Sequence, residues 1–204
     1  MEIYWYLTAP DGPQPWTASG SRKIDYAWFQ EVAQAVDNLG FTGALLATGA
    51  HDPWIVGASL IPLTQRMKFL IAIQPGLVSP TLLAKMAVTF NQFSQGRVLL
   101  NVVSGDKNTL GAYGLHLEHD QRYQLSDEFL TVLKPLLAEQ TVDFEGEHLH
   151  ISNARLALAT VATHRLRCGS AVHRRQHRTL RQNILIPISP GVKRRRRPQR
   201  KLPP

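Results

Sequence analysis

Lys68 to Gly105, KFLIAIQPGLVSPTLLAKMAVTFNQFSQGRVLLNVVSG, holds a complete strand, helix, strand unit. Phe69 to Ile73 is an unbroken apolar run after Lys68, and Val98 to Val103 is another, interrupted only by Asn101. Runs without polar alternation belong to strands buried on both faces, as in parallel sheets. Between them Ser79 followed by Pro80 reads as an N-cap and a proline at the first helical position. Leu82, Leu83, Met86, Phe90 and Phe93 then recur on one helical face, and Gly96 is the stop. A helix joining two apolar strands is the crossover that parallel pairing requires.

The same grammar extends outward. Upstream, Ile3–Leu7 reads as a strand, and Asp25 caps a helix carrying Tyr26, Phe29, Val32, Val36 and Leu39, ended by Gly40. Gly43–Ala47 is a second strand, and Asp52 with Pro53 opens a helix to about Leu60. Downstream, a helix is expected over roughly 123–137, from Tyr123 to Leu137, with Phe129, Leu130 and Leu133 inward and Pro135 weakening its last turn. Asp120, with Arg122 and Tyr123, reads as the N-terminus of that helix with its cap. Val142–Ile151 alternates like a hairpin around Glu145 and Gly146. Four β/α units make half of an eight-stranded barrel or most of a small doubly wound sheet, and periodicity admits both.

Charge divides the 204-residue chain in two. All 15 Asp and Glu lie at or before Glu147, while the last 45 residues hold 13 of the 23 Lys and Arg, including the block Lys193–Arg197. The net charge of +8 therefore belongs to the tail, and a basic nucleic-acid-binding surface is not expected on the β/α part. Cys168 is the one cysteine, which excludes a disulfide framework and fits a reducing compartment. No apolar stretch reaches the roughly 18 residues of a membrane span, and the N-terminus lacks the marks of a signal peptide. A cytoplasmic location is expected.

In either β/α architecture ligands bind just beyond the carboxyl ends of the strands. Those segments are Thr8 to Asp11, Thr48 to Asp52, Gln74 to Gly76 and Asn101 to Asp106, polar and glycine-containing. No phosphate-loop or dinucleotide pattern is present, since Gly111 and Gly114 do not follow a strand and open a helix. The histidines His116, His119, His148 and His150 fall in two separated pairs, and no metal site is expected.

Several of these segments resemble the bacterial luciferase-like flavin monooxygenases: Trp5-Tyr6-Leu7, Gly40-Phe41-Thr42-Gly43, Asp52-Pro53-Trp54, IPLTQRMKFL over 61–70, Ser79-Pro80-Thr81, Asn101 to Gly105, HDQRY over 119–123 and Val142-Asp143-Phe144. The nearest branch resembles alkanesulfonate monooxygenase, and the likeness spans about residues 3–156. It implies the N-terminal half of a luciferase-like (TIM-type) β/α barrel. It also implies reduced FMN delivered by an NAD(P)H-dependent flavin reductase, and O2 used to oxygenate a small organosulfur substrate, an alkanesulfonate giving aldehyde and sulfite. The likeness further implies a homo-oligomer for intact relatives. By the same likeness Gln74 and Asn101 face the isoalloxazine ring, Thr48 and Tyr123 add flavin contacts, and the catalytic residues lie in the second half of the barrel. Side-chain amides both donate and accept, which suits a ring carrying N3–H and two carbonyls. Where the sulfonate branch has a histidine after its first strand this chain has Pro10, and the loop at Ala50-His51 lacks the branch's cysteine.

Residues 157–204 lose the β/α grammar and are expected to be a disordered basic tail. If the codons of Ser170–Arg174 are regrouped by one frame they permit Phe-Gly-Gly-Ser-Ser, and those of Pro187–Lys193 permit Tyr-Leu-Thr-Trp-Gly-Glu. Both strings resemble the sulfonate branch's next strands. A shift of reading frame near residues 157–163 is the expectation, with an inactive, poorly soluble product whose first and fourth strands are unpaired edges. A nucleic-acid-binding protein with a genuine basic arm and a non-catalytic flavin-binding β/α protein are the alternatives.

Overall fold

The computed structural model describes residues 1–8, 12–14, 17–22, 24–157 and 167–170, the last four by backbone alone. In chain order the elements are β1 (Tyr4–Tyr6), α1 (Tyr26–Asn38), β2 (Gly43–Leu46), α2 (Pro53–Leu60), β3 (Lys68–Ile73), α3 (Pro80–Phe93), β4 (Val98–Val102), α4 (Lys107–Ala112), α5 (His119–Leu137), β5 (Val142–Glu145), β6 (His150–Ala154) and β7 (Arg167–Ser170). Five strands form one parallel sheet in the order β1-β2-β3-β4-β7. An antiparallel hairpin, β5 with β6, stands apart from it.

The sheet is covered on one side, and that separates the two architectures left open by periodicity. Leu7, Ala44, Leu46, Phe69, Ile71, Ile73, Val98, Leu100 and Val102 share one core with Phe29, Ala33 and Val36 of α1, Leu83, Ala84 and Ala87 of α3, and Phe129, Val132 and Leu133 of α5. The alternate residues Tyr6, Leu45, Leu70 and Leu99 form a paired row on the opposite face. Tyr6 is 52% exposed and the other three are half-buried. A doubly wound sheet would bury that row under a second helical layer. Helices outside and an apolar row inside make half of a β/α barrel.

Caps fix the helix starts as their sequence implies. Asp25 accepts from Trp28 N (3.1 Å), Asp52 from Trp54 N and Ile55 N (2.9 and 2.8 Å), and Ser79 from Leu82 N (3.1 Å). The longest helix starts earlier than the apolar pattern indicates, because Glu118 rather than Asp120 is its cap. The Glu118 carboxylate meets the Gln121 backbone, and the Gln121 side chain accepts from Glu118 N at 2.9 Å. This reciprocal box satisfies two otherwise orphaned donors.

Two further differences concern the end of the sheet. Strand β4 is not an edge: Leu99 to Val102 pair with Arg167 to Ser170, so β1 and β7 are the outer strands among the described residues. Arg-Cys-Gly-Ser has no apolar run, and a strand held by backbone pairing with a neighbour leaves no such trace in sequence. The other residues of the segment read as a disordered tail lie outside the described ones, apart from Ala157.

Polar clasps hold the layers. The hairpin is tied to α5 by Glu128, whose carboxylate accepts from the backbone N–H groups of Glu147, His148 and Leu149 at 2.9, 3.0 and 2.9 Å. Gly146 makes room for it, since a Cβ there would lie 2.5 Å from Glu128 Oε2. Burial pushes the Glu128 carboxyl up, and the three backbone donors outweigh it and hold it below its ordinary value. Replacing Glu128 with alanine is expected to cost about 1–3 kcal/mol and to speed amide exchange at residues 147–149, which hydrogen exchange read by NMR will check.

Candidate functional site

At the carboxyl ends of the strands the sheet's inner face changes from apolar to polar. Asn101, on β4, pairs in register with Ala72 of β3 and with Gly169 of β7. Gln74 follows β3 directly. Ile73 and Val102 belong to the helix-side core, so Gln74 and Asn101 project from the opposite face. They lie diagonally across adjacent strands, a separation that long side chains span. Both residues are buried, at 8% and 9% exposure. Neither side-chain amide hydrogen-bonds another described residue, and among these residues the fully buried polar atoms left without a partner are Arg122 Nε and His148 Nε2, so the polar ends of Gln74 and Asn101 keep contact with solvent at the mouth of the sheet. Two amides held in a largely apolar setting with their donors and acceptors uncommitted are suited to a planar polar ring.

The loops around this pair are shaped by glycine. Gly105 has φ +69°, and a Cβ there would lie 3.0 Å from Gln74 Nε2 and 3.0 Å from Leu110. Gly76 has φ +95°, and its missing Cβ would meet Leu115 and Leu125 at 2.7 Å. The short helix α4 carries Leu110 into this corner, capped by Asp106, which accepts from Asn108 N and Thr109 N at 3.0 Å each. Thr109's side chain and then its backbone N–H hold the Asp106 carboxyl below its ordinary value, so it stays an ionised cap. Substituting Gly105 with alanine is expected to cost about 1–2 kcal/mol of backbone strain. It should also displace the Gln74 amide, seen as a moved side-chain NH2 resonance.

The other two flavin-contact candidates stand farther out. Thr48 is half-buried, two residues beyond β2. Tyr123 is half-buried in the second turn of α5, its ring 4.9 Å from that of His119. Leu125, two residues on, packs against Gly76, which places this part of α5 above the same end of the sheet. The structure thus makes Gln74 and Asn101 neighbours and sets Thr48 and Tyr123 in the surrounding rim.

Thr8 is a rim residue whose individual part the sequence reading did not identify. It is 6% exposed, its hydroxyl accepts from Ala47 N, and it donates to Ala47 O at 3.2 Å, clasping the ends of β1 and β2. Its only signal in the sequence was a threonine directly after the apolar run Ile3–Leu7. Two of the histidines pair with carboxylates: His119 Nδ1 lies 3.0 Å from Asp120 Oδ1, and His150 Nδ1 lies 2.7 Å from Glu145 Oε1 in the hairpin. Among the described residues no group of three or more His, Cys, Asp or Glu converges as a metal site. No described helix is long and apolar enough to cross a membrane.

Residues 1–161 match the family model described as luciferase-like monooxygenase. Among solved structures, EDTA monooxygenase from Chelativorans sp. BNC1 superposes with a TM-score of 0.66 at 17% identity, over 83% of this chain and 49% of that one. A monooxygenase from Streptomyces bottropensis gives 0.68 at 20% identity, over 83% and 53%. The oxygenating constituent of 3,6-diketocamphane monooxygenase from Pseudomonas putida, solved in complex with FMN, gives 0.59 at 17% identity, over 74% and 44%. These likenesses show a shared fold, and the chain spans about half the length of those structures.

Proposed function

The chain belongs to the luciferase-like monooxygenase family, and from that premise we propose that its strand ends form the ring-binding half of a reduced-FMN site in a flavin-dependent monooxygenase. The buried, uncommitted amide pair of Gln74 and Asn101 carries this reading. It fits the group, because the ring edge offers both donors and acceptors and both amides can answer either. Reduced flavin, when bound, supplies the electrons with which O2 is activated. The chain's own residues bind and orient: Gln74 and Asn101 hold the ring edge, and Thr48 and Tyr123 bound it. Leu70 and Leu99 provide the apolar floor that keeps water from the ring. No acid or base is assigned, and by family likeness that chemistry belongs to the other half of a complete barrel.

The finer reading is an organosulfur substrate, an alkanesulfonate cleaved to aldehyde and sulfite, with an NAD(P)H-dependent flavin reductase as the source of reduced FMN. It is supported by the likeness of 3–156 to that branch and is tested by sulfite release from a complete barrel carrying these residues. The out-of-frame reading of 157–204 is supported by the charge break and the regrouped codons, and resequencing the gene tests it.

A half site predicts weak binding that depends on the ring. In a fluorescence titration FMN and lumiflavin, which lacks the phosphate, should bind the 204-residue chain equally within about threefold, with Kd on the order of 0.1–1 mM. Asn101→Leu and Gln74→Leu should each weaken both by about tenfold, or 1.4 kcal/mol. Unchanged affinity in both variants would remove the amide pair from the site.

A further inference from the structure

A concavity lies on the outside of the half barrel, where the start of α3 meets the strand leading out of β6. It has a volume of about 430 Å3 and is lined by Ser79, Thr81, Lys85, Val88, Arg155 and Leu156, among others. That size falls within the range of roughly 300–1,000 Å3 usual for small-molecule sites. It shares no residue with the amide pair or its glycine loops, and nothing in the flavin reading uses it.

Its chemistry is two-sided. Lys85 and Arg155 approach from different elements, and neither has a carboxylate partner among the described residues. Two other cations at helix or strand ends do find acids: Lys68 lies 3.7 Å from Glu2, and Lys107 pairs with Glu118. Ser79 accepts from Leu82 N at 3.1 Å, which orients its hydroxyl and leaves its own proton available to donate. The Leu82 N–H is therefore already used, and the attraction for an anion comes from the two side-chain cations. Val88 is buried, and Leu156 is half-buried and packed against the main core, so the floor is apolar.

We propose that this cleft binds a small organic anion with a short apolar body, its charged head between Lys85 and Arg155 and its body on Val88 and Leu156. A headgroup alone would leave the apolar floor wet, and an uncharged molecule would leave both cations without a counter-charge.

Hexanoate is a suitable probe, with hexanol and acetate as its two halves, each titrated into the full chain and followed by backbone amide shifts in 15N-labelled protein. Hexanoate should shift Thr81, Leu82, Val88 and Leu156 saturably, and should bind more tightly than either control. Raising salt should weaken it. Lys85→Ala and Arg155→Ala should each weaken it by roughly three- to tenfold, and both side chains are exposed, so both variants keep the wild-type melting curve. The proposal is overturned if hexanol binds as well as hexanoate, if neither variant changes the affinity, or if the only shifts occur among the basic residues after 170. Because the flavin titration uses a different site, either result can fail without the other.

Discussion

Gly43→Ala is expected to lower stability by at least about 3 kcal/mol. Gly43 begins β2 and pairs in register with Tyr4 on one side and Lys68 on the other. A Cβ at this position would lie 2.1 Å from the backbone oxygen of Lys68 and 2.8 Å from its carbonyl carbon. Backbone atoms of a paired strand cannot step aside as a side chain can, so β2 and β3 would have to part where the sheet is anchored. Domain stabilities are about 5–15 kcal/mol, so the variant should melt far below the wild type or fail to fold. Thermal unfolding followed by circular dichroism decides it, and a wild-type melt would show that the two strands do not lie this close.

Asp37→Ala should cost about 3 kcal/mol. Asp37, near the end of α1, is 8% exposed, and its carboxylate accepts from Gln65 N at 3.0 Å, from Arg66 N at 2.7 Å and from Met67 N. It closes the turn that feeds β3. Beside it, Arg97 donates to Ser94 O (2.7 Å), Thr64 Oγ1 (2.8 Å) and Ile61 O (3.1 Å), and its guanidinium lies 5.2 Å from the Phe69 ring. Burial pushes the Asp37 carboxyl up, and the three backbone donors with Arg66 outweigh it and hold the group below its ordinary value. A depressed carboxyl contributes its stability above the unfolded value of about 3.9 and loses it as pH falls through the folded value. Denaturant unfolding of Asp37→Asn should therefore show a shallower loss of stability below about pH 4 than the wild type. An identical acid limb would mean that Asp37 is not the group being titrated.

The two clasps were beyond sequence reading for one reason. Asp37 and Glu128 act on backbone N–H groups some twenty to thirty positions away, as Glu128 does on Leu149 and Asp37 on Met67, and a backbone donor leaves no residue type to recognise. Strands and caps were legible because their signals are local: Ser79-Pro80 and Asp52-Pro53 each specify a turn with their own side chains. Helix α4 was not legible, because six residues containing Gly111 show no period, and it is held by Asp106 and by Leu110 under the Gly105 turn. At the site, Gln74 could be picked out as the polar residue ending one apolar run and Asn101 as the polar residue interrupting another. Their neighbourhood, and the dependence of Gln74 on Gly105, required the register of β3 against β4.

The central claim is that a flavin ring meets the sheet at these two amides. Side-chain NH2 resonances of Gln74 and Asn101, assigned through their leucine variants, report it directly. On addition of lumiflavin both should shift in parallel and saturate together with the bound-flavin signal. Saturating flavin binding that leaves both resonances in place would contradict the account and put the ring elsewhere on the molecule.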